Sequence, residues 1–135
     1  MFKLIGWLLA GLAGGAAGAA TAFAVPPGLE RMQGRWLLVE LASRPVHLST
    51  SGSVPWFSIK RQLIEGHDGC NEFSGSLDMP GSIAATRRGC AEGALKLPLD
   101  LADPLPQLRA GKVTGDRLVV PKRATMPRFT MRKVP

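Results

Sequence analysis

The chain has 135 residues, 45% of them hydrophobic, with a formal charge of +7 and two cysteines, a composition that fits one globular domain and excludes a disordered chain. The charge suggests nucleic acid until it is mapped: residues 25–107 hold eight basic and nine acidic side chains, whereas residues 108–135 hold eight basic side chains against Asp116 alone. The basicity is local, and no nucleic-acid partner is expected.

Met1-Phe2-Lys3 supplies a short positive start, Leu4 to Ala20 is apolar and uncharged, and Thr21-Ala22-Phe23-Ala24 ends in an A-x-A pattern. This reads as a secretory signal peptide over residues 1–24, cleaved after Ala24, so that the mature chain lies in the periplasm or is secreted. The alternative is a retained inner-membrane anchor over residues 4–25, since about 20 apolar residues span a bilayer. Glycines and alanines from Gly11 to Ala20 keep the run only mildly hydrophobic, and Pro26-Pro27 end any helix. Residues 25–33 are expected to form a linker, followed by the domain over 34–135.

Gly34 to Ala42 is apolar on both faces and short enough for a largely buried strand. Leu48 to Val54 is a Ser/Thr/Gly loop, and Pro55 to Ile59 restores alternation with Phe57 and Ile59 on one face. Lys60-Arg61-Gln62 turns the chain, and Leu63 to Gly66 extends again. Gly66, Gly69 and Gly75 predict unusual torsions and a bulged, bent strand pair. Leucines 97, 101, 105 and 108 have helical spacing, yet Pro98, Pro104 and Pro106 limit that stretch to a short or broken helix. Gly115-Asp116 between two apolar pieces predicts a hairpin. Arg128 to Arg132 alternates, which places Phe129 and Met131 inward and Arg128, Thr130 and Arg132 on a basic outer face. No internal repeat is present.

Four pieces carry a resemblance: Gly34-Arg35-Trp36-Leu37-Leu38, Gly69-Cys70-Asn71-Glu72-Phe73-Ser74-Gly75-Ser76, Thr86-Arg87-Arg88-Gly89-Cys90 and Gly115-Asp116-Arg117-Leu118-Val119-Val120. In order and rough spacing they resemble the META domain, or HslJ-like, family. Its signature runs G-x-W-x-L, then G-C-N-x-(F/Y)-S-G-x, then T-(R/K)-x-x-C, then G-D-x-L-x-L. The motif positions are Gly34, Trp36, Gly69, Cys70, Asn71, Phe73, Ser74, Gly75, Thr86, Arg87, Cys90, Gly115 and Asp116. The chain departs from the pattern after Leu77, where the family usually has a further full strand, and in the proline-rich helix region. The resemblance implies a β-dominated α+β domain, as a small antiparallel sheet or partly open barrel with one short helix. It also implies an exported envelope protein without established enzymatic activity, associated with stress response, antibiotic tolerance, and motility or secretion.

Two cysteines in an exported chain normally pair, so Cys70 and Cys90 are expected as a disulfide; two buried thiols or a redox or metal site are the competing readings. Metal is disfavoured because His47 and His67 are the only imidazoles and no CxxC or HxxxH spacing exists. Asn71 is expected to fix its turn by side-chain hydrogen bonds to backbone. Glu65, His67, Asp68 and Glu72 read as solvated turn residues rather than an acid-base site. Trp36 and Trp56 read as core or rim packing. Ser49, Thr50, Ser51 and Ser53 lie near His47 without the G-x-S-x-G elbow of a nucleophile.

No catalytic residues, metal or cofactor are therefore expected, and the protein reads as no enzyme. Lys122, Arg123, Arg128, Arg132 and Lys133 are the candidate contacts to an anionic envelope surface, lipopolysaccharide or lipid headgroups; a solvated face that aids solubility is the competing reading. The expected function is a non-enzymatic envelope module that uses this face. The alternative is an interaction or inhibitor-like module that presents an edge strand or the loop His47 to Val54 to another exported protein. Membrane contact through the chain itself requires an uncleaved N-terminal segment.

Overall fold

The computed structural model describes residues 24–47, 54–90 and 93–135. The signal-peptide expectation and most of the Ser/Thr/Gly loop lie outside the described residues. Among the described residues the strands are β1 (Gly34–Leu41), β2 (Arg44–Pro45), β3 (Trp56–Lys60), β4 (Leu63–His67), β5 (Glu72–Ser76), β6 (Ala84–Ala85), β7 (Lys112–Thr114), β8 (Arg117–Val120) and β9 (Phe129–Val134), with one α-helix, α1 (Leu105–Ala110). All pair antiparallel in one open sheet of order β6-β5-β4-β3-β1-β9-β8-β7, with β2 folded back on β1. The fold is thus α+β and β-dominated, in the sheet form of the expectation.

Alternation decides which face is buried. Trp36 and Leu38 of β1, Phe57 and Ile59 of β3, Ile64 of β4, Phe73 of β5, Leu118 and Val120 of β8, and Phe129 and Met131 of β9 share one buried core. Leu108 of α1 closes over it together with Leu77, Leu97 and Leu99. Each such side chain, fully buried, contributes about 1.5–3 kcal/mol. The Trp36 indole donates to the Met32 carbonyl at 2.9 Å, so its one polar group is satisfied in the core.

Several expectations are corrected. Residues 25–33 are no linker: Leu29 and Met32 are 0% and 2% exposed, and a short 3-10 turn over Glu30–Met32 packs them into the domain. The pairings of β3 with β4 and β4 with β5 run without a break, so no bulge lies there. The register shift falls in β1 between Leu38 and Glu40, opposite β9.

Gly69 alone of its trio has a positive φ, +101°; a Cβ there would collide with the Leu95 carbonyl oxygen. Gly66 and Gly75 are needed for room instead, since a Cβ on Gly75 would lie 2.6 Å from Ile83 Cα and one on Gly66 would strike the Trp56 carbonyl. Thr130, expected on the outer face of β9, is buried at 2% exposure between Glu40 of β1 and Val119 of β8.

The helix is as short as the prolines predict. It starts after Pro104, with Pro106 in its first turn, where a missing N–H costs nothing. Gln107 ties it to the preceding segment: Nε2 donates to the Pro98 carbonyl at 2.6 Å, and Oε1 accepts from Asp100 N at 2.8 Å. Between Leu77 and Thr86 the chain forms only the two-residue strand β6.

The β1–β2 turn places Ala42 and Ser43 at φ 51° and 63°. Both central residues of a type I′ hairpin need such torsions, and Asn-Gly usually supplies them. Non-glycine residues held there carry about 1–3 kcal/mol of strain each.

Candidate functional site

The β4–β5 connection forms a cross-linked corner. Asp68, 6% exposed, accepts two backbone N–H groups on Oδ1, from Cys70 at 2.9 Å and Asn71 at 2.6 Å. Its own N–H donates to the Asn71 carbonyl at 2.9 Å, and its carbonyl accepts from Leu97 N at 2.7 Å. The corner is therefore set by Asp68, where the sequence reading placed a solvated residue. An Asx turn in Asp68-Gly69-Cys70-Asn71 was the available signal.

Asn71 fixes backbone as expected, but over a distance. Its Oδ1 accepts from Arg88 N at 2.6 Å and from Thr86 Oγ1 at 3.1 Å, and Glu72 N donates to the same Thr86 hydroxyl at 3.1 Å. The Cys70–Cys90 disulfide, Cα atoms 5.0 Å apart, closes the loop that these bonds hold. The two middle pieces of the signature thus meet in space. Phe73 enters the core at 3% exposure, whereas Ser74 and Arg87 are exposed. Gly115, φ 60°, and Asp116 form the β7–β8 turn.

Beside this corner, the outer face of β3–β6 carries a hollow of about 540 Å³ lined by Trp56, Glu65, Glu72, Ser74, Ala84 and Thr86. The Arg35 guanidinium sits 4.1 Å from the Trp56 ring centroid. Among the described residues, no group of three His, Cys, Asp or Glu side chains is placed to hold a metal ion.

The five candidate cations are split by the sheet. Arg132 pairs with Asp116 at 3.5 Å, and Lys133 lies with Nζ 5.9 Å from the Trp36 ring centroid, on the opposite face of β9. Lys122, Arg123 and Arg128 gather at the β8–β9 connection and form no ion pair among the described residues. Arg123 N donates to the Met126 carbonyl at 3.0 Å and Met126 N to the Arg123 carbonyl at 2.8 Å, which closes this connection, with Ala124 at φ 49°. Lys122 and Arg128 line a hollow of about 440 Å³ with Ala42, Ser43, Thr125 and Pro127. Strand directions place the β1–β2, β4–β5 and β8–β9 connections at one end of the sheet.

An open antiparallel sheet, one short helix across its core and a disulfide-closed corner define a small strand-dominated domain. The META domain family model matches residues 29–134, and the chain belongs to that family. The match begins at Leu29, the first buried core hydrophobic among the described residues. Comparisons with curated proteins and with solved structures gave no match.

Proposed function

We propose that this META-domain protein acts outside the cytoplasmic membrane as a non-enzymatic envelope module, in the setting of stress or antibiotic tolerance, and docks by its basic end on anionic envelope components. Lipopolysaccharide and anionic lipid headgroups are the partners in this reading. The single observation that carries it is the group of Lys122, Arg123 and Arg128, which lack acidic partners among the described residues, while Arg117 and Arg132 pair with Glu40 and Asp116. Each cation brought to an anionic membrane surface contributes about 1 kcal/mol. Export is supported by the A-x-A pattern and by a disulfide that an oxidising compartment would preserve.

Co-sedimentation with phosphatidylglycerol vesicles or lipopolysaccharide tests the docking. Binding is expected at about 0.01 M salt and its loss at about 1 M, where the Debye length falls from about 30 Å to about 3 Å. The triple variant Lys122→Glu, Arg123→Glu, Arg128→Glu should abolish it, and Arg132→Glu should leave most of it. No binding at low salt, or binding indifferent to the triple variant, refutes the proposal.

A further inference from the structure

We infer that the hollow between the β1–β2 turn and the β8–β9 connection is a cup for a phosphomonoester group, an inference that deepens the proposed docking and rests on it. Its lining combines two cations, Lys122 and Arg128, with two hydroxyls, Ser43 and Thr125, over apolar walls from Ala42 and Pro127. None of these four polar side chains has a hydrogen bond or ion pair among the described residues. Residues with donors of two kinds therefore line one concavity, and among the described residues nothing accepts from their side chains.

The framework of the cup is held before any ligand arrives. Ala42 N donates to the Arg128 carbonyl at 2.8 Å and joins the two connections, and the paired bonds between Arg123 and Met126 close the second. Of the four non-glycine residues with positive φ among the described residues, three, Ala42, Ser43 and Ala124, belong to these two connections. Backbone held in sparsely populated torsions is concentrated where a site is pre-organised.

The chemistry selects among anions. A phosphomonoester carries about −1.5 to −2 charges near neutral pH and offers three terminal oxygens. That suits a forked guanidinium, a compact ammonium and two hydroxyl donors together. A phosphodiester has one charge and two free oxygens, and a carboxylate likewise, so either leaves part of this donor set unused. The volume of about 440 Å³ exceeds that of the phosphate alone and admits the carbon that bears it.

Vesicles of phosphatidylcholine doped with phosphatidic acid, a monoester, are compared with vesicles doped with phosphatidylglycerol, a diester, at matched surface potential. The protein should bind the first at least about fivefold more tightly, which corresponds to about 1 kcal/mol. The double variant Ser43→Ala, Thr125→Ala keeps every charge and alters only exposed positions. It should lose the preference and keep its phosphatidylglycerol binding, with an unchanged urea midpoint. Equal wild-type affinity for the two vesicles overturns the cup but leaves charge-driven docking intact; absence of binding to both at low salt overturns the docking as well. Soluble glycerol phosphate identifies the source. Displacement from phosphatidic acid vesicles shows that the cup takes free phosphomonoesters, and retained preference without displacement shows that it reads the group on a bilayer.

Discussion

The Asp68 carboxylate holds two backbone N–H groups in a site with almost no solvent access. Replacement by Ala would leave both donors unsatisfied. Asp68→Ala should therefore lower unfolding free energy by about 2–3 kcal/mol, with most of it retained in Asp68→Asn, as read by urea denaturation. Gly69→Ala adds a Cβ against the Leu95 carbonyl at a left-handed torsion and should cost about 3 kcal/mol or prevent folding, checked by expression and thermal melting. Of this corner the sequence showed Cys70, Asn71 and the need for Gly69. Asp68 escaped because the burial of a turn carboxylate is a tertiary property: Leu97, whose N–H bonds the Asp68 carbonyl, comes to this corner from far along the chain.

At the scale of elements, the disulfide fixes the loop from β5 through β6 to Cys90, a closure of 20 positions. In the chain-entropy picture such a closure contributes about 3 kcal/mol. The pair Cys70→Ala, Cys90→Ala should lose about that much in chemical denaturation at unchanged secondary structure. Gln107→Leu should destabilise by about 2 kcal/mol, because the Pro98 carbonyl and Asp100 N–H lose their partner inside the packed segment, and the same measurement reads it. The strands β3 and β9 and the β7–β8 hairpin were legible from period-two burial and a Gly-Asp turn, and β1 from a short apolar run, all local signals, although β1 buries one face where the run suggested both. The bulge in β1 was not, because a register shift is a property of two strands. Nor was Gln107, a polar side chain whose burial depends on how the proline-rich segment folds across the core.

At the scale of the molecule, the fixed sheet divides a basic tail that looks continuous in the sequence. Lys133 falls to the core side of β9, Arg132 to an ion pair with Asp116, and only Lys122, Arg123 and Arg128 remain together. The sequence reading grouped Lys133 with Arg128 and Arg132 on one basic face, whereas the strand turns Lys133 to the other side. The partnership with Asp116 required the β8–β9 pairing, which sequence spacing does not give. The same pairing predicts the pattern of protection: amide hydrogen exchange should be slowest in β1, β3 and β9 and fastest in β6 and β7 at the two margins.

The first long strand and the last are neighbours at the centre of the sheet, with Leu38 opposite Met131. A nascent chain cannot assemble this architecture from its start onward, because the middle position stays vacant until residues 129–134 emerge from the ribosome. Until then β1 has an open flank, and the sheet cannot close. Closure by so distant a contact also makes folding slow for a chain of this size.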